Sequence, residues 1–232
     1  MAAEETTPAE LQRLLEVQKA ALRERGPPSV RERERRLDVM IQLLLANEDA
    51  LVAAVTADFG VRPREVTRFA DVLMALEAFK AARAGVRSWC RPERRRVDFP
   101  FNVVGATNYV EYQPKGVVGV IAPWNYPIML LLTPVASAFA AGDAVLLKPS
   151  ELAPRTALLI ARLVNGAYDE SIARVVLGGP ETSAALAALP LDHLVFTGST
   201  RVGKLVAAAC ARNLTPTWLL HPCSSRRVAD LS

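Results

Sequence analysis

The second half of the 232-residue sequence repeats one unit, in which a short apolar run is followed by a turn and a segment with helical spacing. The apolar runs occupy residues 117–122, 144–148, 173–177 and 193–197. The helical segments that follow them occupy residues 128–141, 156–165, 182–189 and 201–212. Uninterrupted apolar strands that alternate with helices are typical of a parallel sheet covered by helices on both faces. We therefore predict an α/β fold, which binds ligands at the carboxyl ends of its strands.

Residues 1–107 are patterned as helices rather than strands. Leucines recur at helical spacing over residues 8–25, and a capping box starts a second, long helix over residues 29–60. A third helix is expected over about residues 63–84, with Phe69 on its buried face. This part of the chain is therefore predicted to be a helical region.

Two stretches between the helical region and the repeating units need separate interpretation. Residues 108–114 alternate like a half-buried strand. Residues 116–142 are uncharged and long enough to cross a membrane. Pro123 and Pro127 interrupt this second stretch, which favours a strand, a turn and a buried helix over one membrane span.

The net charge of +4 arises from 28 basic and 24 acidic residues, and the arginines are clustered. Within residues 31–36 and 91–96 the arginines are interleaved with glutamates, and no aromatic residues alternate with them. This pattern favours solvated helix faces with Glu–Arg pairs over a nucleic-acid-binding surface. We expect no nucleic-acid partner.

The three cysteines, Cys90, Cys210 and Cys223, form no CxxC pair and predict neither a disulfide framework nor a metal site. This cysteine usage favours a reducing, cytoplasmic location. The acidic N-terminal segment lacks the basic start and apolar core of a secretory signal.

The first predicted strand ends in the sequence Ala122-Pro-Trp-Asn-Tyr-Pro127. Two prolines restrict the backbone, so Trp124 and Asn125 are held in a tight turn. A rigid Asn amide is a suitable donor to a developing oxyanion. The alternative is that Asn125 only forms the turn by bonding to its own backbone.

The next two strand ends carry a polar motif and a double glycine. In Leu147-Lys-Pro-Ser-Glu151, Lys148 can donate to a ribose hydroxyl or phosphate, and Glu151 can accept from ribose hydroxyls. The alternative is a surface lysine followed by a helix cap. In Leu177-Gly-Gly-Pro-Glu181 the glycines let a flat ring approach the backbone, or form a plain turn.

The fourth strand ends in Phe196-Thr-Gly-Ser-Thr-Arg-Val-Gly203 and passes directly into a helix. Free N–H groups at a helix start suit a pyrophosphate, and Ser199 can add a hydroxyl donor. The alternative is an ordinary Ser/Thr helix cap.

In this order, the motifs Ala-Pro-Trp-Asn-Tyr-Pro, Lys-Pro-Ser-Glu and Phe-Thr-Gly-Ser-Thr-x-x-Gly resemble the signature of the aldehyde dehydrogenase superfamily. The resemblance covers about residues 10–216, and residues 111–120 resemble the class that contains fatty and coniferyl aldehyde dehydrogenases. It implies a helical region, 1–107, packed on a Rossmann-like dinucleotide-binding region, 108–216. It also implies a homo-oligomer that oxidises an aldehyde to a carboxylic acid with NAD or NADP.

The resemblance assigns roles to single residues. Asn125 would supply the oxyanion-holding amide. The implied cofactor-binding residues are Trp124 in the cleft, Lys148 and Glu151 at the adenosine ribose with Ser150 between them, Gly179 and Pro180 near the adenine, Gly198 and Ser199 at the pyrophosphate, and Gly203, which would let the next helix pack close.

Beyond Pro216 the resemblance is expected to end. The superfamily continues with a strand reading Leu-Glu-Leu-Gly-Gly-Lys, whose Glu is the general base, whereas residues 217–232 begin Thr-Trp-Leu-Leu. We expect a sheet without its fifth strand, followed by a tail that arises from a frame change, an alternative exon or a gene-model error. The base and the cysteine nucleophile would then be absent, because an isolated Cys223 is a poor substitute.

The chain as written is therefore expected to be inactive, and its homo-oligomerisation is open to doubt. One alternative is a non-catalytic dinucleotide-binding or subunit-binding remnant. A weaker alternative is a related acyl-phosphate or acyl-thioester reductase.

Overall fold

The computed structural model describes residues 5–220. The predictions for Cys223 and for the segment 221–232 lie outside the described residues. The helical elements are α1 (Pro8–Arg25), α2 (Val30–Ala46), α3 (Glu48–Phe59), α4 (Arg64–Thr67), a π-helical turn (Arg68–Leu73), α5 (Met74–Trp89), α6 (Met129–Ala141), α7 (Pro154–Ala167), α8 (Pro180–Ala187) and α9 (Thr200–Ala211). The strands are β1 (Glu93–Arg95), β2 (Asn108–Val110), β3 (Val117–Ile121), β4 (Ala144–Lys148), β5 (Ala173–Val175), β6 (His193–Thr197) and β7 (Thr217–Leu220).

The main sheet has five strands in the order β5-β4-β3-β6-β7, and every neighbouring pair is parallel. The chain builds outward from β3 to β5, then returns to the other side of β3 with β6. This reversal of strand order is the switch point at which doubly wound sheets bind ligands. The prediction of an α/β, Rossmann-like sheet with flanking helices and N-terminal helices is confirmed.

The expectation that the fifth strand is missing is wrong. Residues 217–220 run parallel to β6, with Leu194 opposite Thr217 and Thr197 opposite Leu220. The run Thr-Trp-Leu-Leu differs from the superfamily motif, yet Thr and Trp favour a pleated strand and Leu219 packs against the core. Strand formation here depends on apolar character and position rather than on the motif.

Alternate residues of β3 face opposite sides of the sheet, as strand geometry requires. Val118 and Val120 belong to one buried core, which α2, α3, α5, α6 and α7 complete. Val117 and Ile121 belong to the other core, with α1, α8 and α9. Full burial of one such side chain stabilises a protein by about 1.5–3 kcal/mol. The N-terminal helices therefore form both outer layers of the sheet together with the connecting helices.

The long helix expected over residues 29–60 is two helices. The chain bends by 67° between α2 and α3, and Asn47 lies at the junction with φ −120° and ψ 14°. Its side-chain amide donates to the Leu43 carbonyl at 2.8 Å. An Asn that bonds to the preceding turn competes with the helical backbone, which accounts for the break.

The third predicted helix starts at Arg64 and reaches Trp89, but it contains the π-helical turn 68–73. Phe69 was expected to be buried and is 62% exposed. A π turn changes the phase of the helix, so that Asp71 faces the interior beside Val72 while Phe69 does not.

The strand expected over residues 108–114 is also shorter than predicted. β2 covers only Asn108–Val110, and it pairs antiparallel with β1 in a separate two-stranded sheet. Both strands are exposed along their length, because no second layer packs on them within the described part of the chain.

The arginine cluster of α2 is less solvated than its sequence suggests. Arg33 and Arg36 are buried, and their guanidinium groups donate to the carbonyls of residues 140 and 143. Glu34 is buried as well and pairs with Arg83 and Arg87 of α5. The prediction of a solvated face is wrong for these side chains, which attach α2 to α5 and α6.

Within residues 5–220 no single helix combines the length and apolar composition needed to cross a membrane; α2 and α3 meet both conditions only as a bent pair. The stretch 116–142 forms β3, a turn and the buried helix α6, as predicted.

Candidate functional site

The predicted strand-end motifs lie along one edge of the main sheet. In the strand register, Ile121 at the end of β3 is opposite Lys148 of β4 on one side and Phe196 of β6 on the other. Neighbouring strands are about 4.7–4.9 Å apart. The turn after β3, the Lys-Pro-Ser-Glu segment and the turn after β6 are therefore neighbours around the switch point.

Lys148 is a buried cation at this edge. Its side chain is 1% exposed, and its ammonium group donates to the Glu151 carboxylate at 2.7 Å. Burial raises the pKa of Glu151, but the hydrogen bond from Lys148, a backbone hydrogen bond and the charge of Lys148 together hold that pKa below its ordinary value. Ser150 is buried, and its hydroxyl accepts from the Leu152 N–H at 3.2 Å, which turns the chain. The alternative of a surface lysine does not hold.

Trp124 and Asn125 are exposed in the turn between β3 and α6. The Trp124 ring lies tilted against Phe59, with 5.9 Å between ring centroids. The Asn125 carbonyl accepts a hydrogen bond from Arg62 at 2.8 Å. The Asn125 side-chain amide bonds to none of residues 5–220, so it does not cap its own backbone there. That amide can therefore donate to a ligand.

Two carboxylates from the helical region occupy helix starts at this edge. Asp71 accepts from the N–H groups of Ile128 (3.0 Å) and Met129 (2.6 Å) at the start of α6. Asp58 accepts from the N–H groups of Arg155 (3.0 Å) and Thr156 (2.9 Å) at the start of α7.

These two capping carboxylates limit which helix starts can bind a phosphate. In many doubly wound folds the helix after the first strand binds the pyrophosphate through its free N–H groups. Here a carboxylate already accepts those N–H groups at α6, and another does so at α7. A negatively charged ligand would meet like charge at both places, which leaves the starts of α8 and α9.

Asp71 is fully buried, and burial raises its pKa to about 6. The hydrogen bonds from Met129 and Ile128 and the charge of Arg62 oppose this rise. One of its carboxylate oxygens, Oδ2, has no hydrogen-bond partner among the described residues.

The start of α9 keeps N–H groups available. Ser199 is the N-cap residue: its hydroxyl accepts from the Val202 N–H at 3.4 Å, and its carbonyl accepts from the Gly203 N–H at 2.9 Å. The N–H groups of Thr200 and Arg201 have no partner within residues 5–220. Ser199 can therefore cap α9 while the N–H groups of Thr200 and Arg201 stay available to an anion.

The two glycines beside this helix differ from their predicted roles. The Gly198 N–H donates to the Leu220 carbonyl of β7 at 3.0 Å, so it is not free for a phosphate. A Cβ at Gly198 would lie 2.4 Å from the Phe196 ring, whereas one at Gly203 would lie 3.6 Å from it, which is ordinary contact. Close packing therefore requires glycine at residue 198 rather than at residue 203.

Gly179 and Pro180 lie at the start of α8, next to the N-terminal segment. Thr6 donates its N–H to the Leu177 carbonyl at 2.8 Å, and its hydroxyl accepts from the Leu177 N–H at 3.1 Å. A Cβ at Gly179 would lie 3.6 Å from the Glu5 carboxylate. The N-terminal segment thus forms one wall of the loop predicted to lie near the adenine.

A small cleft of about 230 Å³ opens at the same edge between β6, α9 and β7, and Phe196, Gly203 and Leu219 are among its lining residues. Larger grooves of about 780 and 620 Å³ lie beside α2 and α5 and beside the β1–β2 hairpin. Those grooves contain none of the strand-end residues. The candidate site is therefore located by the strand-end residues and not by the size of a cavity.

Neither described cysteine lies at this edge. Cys210 is buried near the end of α9, its thiol donates to the Ala187 carbonyl, and burial raises its pKa. Cys90 follows α5 and accepts a hydrogen bond from Arg33 at 3.3 Å. Within residues 5–220 no three His, Cys, Asp or Glu side chains are grouped as metal ligands.

Sequence reasoning missed Arg62, Asp71 and the role of Asp58. Nothing in the sequence pairs Asp58, a residue of α3, with a helix about 100 positions later. The one available signal was the missing cap: Ala153, which precedes α7, has no side chain that can bond to its N–H groups.

Comparison with known proteins gives consistent matches. The sequence profile described as "Aldehyde dehydrogenase family" matches residues 1–226, beyond the expected limit at Pro216. A coniferyl aldehyde dehydrogenase of Pseudomonas sp. is 45% identical over 94% of this chain and 45% of its own length. The 4,4'-diaponeurosporen-aldehyde dehydrogenase of Staphylococcus aureus is 35% identical over 81% of this chain and 40% of its own length.

The fold also matches solved structures. The substrate-bound state of Staphylococcus aureus AldH superposes with a TM-score of 0.84 at 30% identity, over 90% of this chain and 45% of that one. The chain spans about half the length of the proteins that it matches.

Proposed function

Because the chain belongs to the aldehyde dehydrogenase family, we propose that it supplies the NAD(P)-binding and oxyanion-holding part of an enzyme that oxidises an aldehyde to a carboxylic acid. One observation carries the proposal: a buried Lys148 paired with Glu151, an exposed Asn125 amide and the open start of α9 share the switch-point edge.

The residues at this edge fit a nicotinamide dinucleotide. The N–H groups of Thr200 and Arg201, with the positive end of α9, suit the pyrophosphate. Glu151 is 40% exposed and can accept from ribose hydroxyls, while its ion pair with the buried Lys148 holds the carboxylate in place. The carboxylates at the starts of α6 and α7 disfavour phosphate there, which supports α9 as the phosphate site.

When bound, NAD or NADP supplies the hydride acceptor of the reaction. The amide of Asn125 would donate to the aldehyde oxygen as negative charge develops on it, and one such donor contributes about 2.7–4 kcal/mol in a known case. Trp124, exposed on the same turn, would cover the reacting centre and exclude water. The turn between β3 and α6 would hold both side chains at the edge where the cofactor would bind.

Aldehyde oxidation in this family also needs a thiolate nucleophile and a base that activates water. By resemblance the base lies on the strand after residue 216, and at that place β7 reads Thr217-Trp-Leu-Leu220. Cys90 and Cys210 lie away from the edge, and burial raises the pKa of Cys210. We therefore propose that the 232-residue chain binds cofactor without turning over aldehyde.

Isothermal titration of the 232-residue chain with NAD and NADP tests cofactor binding. We expect saturable binding that K148A weakens by roughly 10- to 100-fold, since a charged hydrogen bond contributes about 1.5–3 kcal/mol. Lys80, which pairs with Glu77 on α5, provides the control K80A. Absence of binding by the wild-type chain would overturn the cofactor assignment.

Turnover is measured separately, with an aldehyde and either cofactor. We expect no reduced cofactor above background, and catalytic turnover would contradict the proposed inactivity. Homo-oligomerisation and a cytoplasmic location stay predictions.

A second candidate function is binding to a longer family member without catalysis. The exposed face of β7 favours it, because Trp218 is 62% and Leu220 is 40% exposed on a strand that lies at the edge of the sheet within residues 5–220 and can pair with another chain. Co-elution of the chain with a full-length coniferyl aldehyde dehydrogenase, lost in W218K, would support this candidate.

A further inference from the structure

The guanidinium group of Arg62 lies between the N-terminal helices and the turn that carries Asn125. Its Nη1 donates to the Asn125 carbonyl at 2.8 Å. Its planar face lies over the rings of Phe59 (4.9 Å) and Tyr126 (4.6 Å). The Arg62 side chain is only 10% exposed. A cation so enclosed, with two aromatic faces and one carbonyl around it, has little freedom to move.

Asp71 holds the far end of the same turn. Its Oδ1 accepts from both the Ile128 and Met129 N–H groups, and its Oδ2 lies 3.9 Å from Arg62 Nη1. That Oδ2 is buried and has no hydrogen-bond partner among the described residues. The nearby positive charge of Arg62 therefore offsets part of the cost of burying this oxygen. Arg62 and Asp71 therefore fix the middle and the end of one short loop.

The Asn125 amide depends on this loop for its direction. It bonds to no side chain or backbone group within residues 5–220, so only the backbone of the turn orients it. We propose that Arg62 and Asp71 are positioning residues for the Asn125 amide and for Trp124, acting through the backbone of the turn. The inference rests on the proposed function for its role in catalysis, but the geometry that it describes is independent of cofactor binding.

The electrostatic surroundings make the arrangement depend on a single carboxyl group. From α6 only backbone N–H groups face Asp71, since that helix has no charged residue. From the segment before α4 the charge that faces it is Arg62. Most other charged groups on the packed elements have partners elsewhere: Glu48 and Asp49 with Arg68, Arg64 with Asp49, Asp58 with α7, Glu77 with Lys80, and Arg83 and Arg87 with Glu34. Glu65 of α4 is exposed to solvent.

Protonation of Asp71 removes the charge that retains Arg62. Because burial brings the Asp71 pKa to about 6, this change occurs between about pH 5 and 7, above the range of an ordinary carboxyl. Below that range Arg62 keeps its bond to the Asn125 carbonyl but loses its ionic partner. We expect the turn to loosen and Trp124 to become more accessible to water as the pH falls.

The test follows Trp124 as the only tryptophan of the 232-residue chain. Trp89 and Trp218 are exposed, so W89F and W218F remove their fluorescence with little disturbance. In this background R62A is expected to shift the Trp124 emission to the red and to increase its quenching by acrylamide. R62K, which keeps the charge but not the planar stacking, is expected to restore part of the signal. R68A is the matched control, since Arg68 pairs only with exposed acids of α3.

The pH profile separates positioning from simple stability. The single-tryptophan chain is expected to show an emission change with a midpoint near pH 6, and D71N is expected to abolish it. D71N keeps the carbonyl-like acceptor and the side-chain size, so α6 remains capped. The side-chain amide signal of Asn125 in a ¹⁵N spectrum, assigned by its absence in N125A, is expected to shift in R62K and in D71N.

The outcomes distinguish this inference from the proposed function. A Trp124 signal and an Asn125 amide signal that are unchanged in R62K and D71N, with no transition near pH 6, overturn the inference. Failure of the wild-type chain to bind NAD or NADP overturns the proposed function while leaving these signals to decide the inference. Where both hold, R62K is expected to raise the NAD dissociation constant by about fivefold, the loss of about one hydrogen bond. If R62A does not fold, R62K and the wild-type pH titration still give the result.

Discussion

The Asp58 carboxylate accepts hydrogen bonds from both the backbone N–H and the hydroxyl of Thr156, at 2.9 and 2.7 Å. Asp58 lies near the end of α3, whereas Thr156 lies in the first turn of α7. Helix α7 has no local side-chain cap, so its free N–H groups depend on a residue from a different layer of the fold. The helical region thereby fixes the segment that follows Lys148 and Glu151.

Substitution D58A is expected to destabilise the protein by about 1–2 kcal/mol, the usual effect of losing a helix N-cap. D58N, which keeps an acceptor oxygen, is expected to lose less. Urea unfolding monitored by circular dichroism measures both. The control is D49A, because Asp49 is 83% exposed and pairs with arginines at the surface. Equal stability of D58A and the wild-type chain would show that water satisfies the N–H groups of α7 as effectively as Asp58 does.

A glycine at the end of α6 is expected to be intolerant of a side chain. Gly142 has φ +96°, and an added Cβ would lie 2.9 Å from Arg33 Nε and 3.0 Å from Pro28 Cγ. G142A is therefore expected to destabilise the protein by about 1–2 kcal/mol.

The matched control for this prediction is Gly166, which lies in α7 with nothing within 4 Å of an added Cβ. G166A is expected to stabilise the chain by about 0.5–1 kcal/mol, because Ala is the better helix former. Thermal unfolding of the two variants should move in opposite directions. Two shifts of the same sign would contradict the packing described around residue 142.

The pH dependence of stability contains a contribution from Asp71 with a defined sign. The Asp71 pKa is raised from 3.8 to about 6 in the folded protein, so folding favours the protonated form. The corresponding stability is present below pH 3.8 and is lost as the pH rises through 6, by at most about 3 kcal/mol.

Comparison of the wild-type chain with D71N isolates this contribution from that of other carboxyl groups. The difference in unfolding free energy between the two proteins, measured in urea from pH 4 to pH 7, should shift in favour of D71N as the pH rises. A difference that stays constant over this range would show that Asp71 titrates as an ordinary carboxyl group.

Glu151 is expected to influence the choice between NAD and NADP. Lys148 holds the Glu151 pKa below its ordinary value, so the carboxylate is ionised at neutral pH and repels a 2′-phosphate. E151Q is expected to improve NADP affinity relative to NAD by about fivefold, a change of about 1 kcal/mol.

The control for this experiment is E170Q. Glu170 pairs with Arg13 before β5, at the opposite edge of the sheet. Titration of both cofactors against each variant gives the ratio directly. An unchanged ratio in E151Q would remove Glu151 from the proposed ribose site.

Most of the sheet was predictable because its central strands are largely apolar runs, which favour burial between two layers of helices. Residues 144–148, for example, are apolar up to Lys148 and are buried throughout. The π-helical turn and the bend at Asn47 were not predictable, since both are single-residue departures from a helical period that the sequence otherwise keeps. Strand β7 was missed because a family motif was given more weight than the apolar character of residues 217–220.

The candidate site, like the fold, contains some residues that could be predicted from the sequence and others that could not. Residues that follow strands, such as Asn125 and Ser199, could be proposed from sequence because chain order places them at one edge. Arg62 and Asp71 could not, since their contacts join segments that are more than 50 positions apart. A single sequence shows which residues follow a strand, but it does not show which distant side chain supports them.

The strand order also has a consequence for the time course of folding during synthesis. β3 is made first of the five, and it lies in the centre with β4 on one side and β6 on the other. The ribosome therefore releases β3, β4 and β5 as a three-stranded half-sheet, with one apolar margin of β3 open until residues 193–197 emerge. During that interval the nascent chain exposes one margin of a strand that is buried along its whole length in the folded protein.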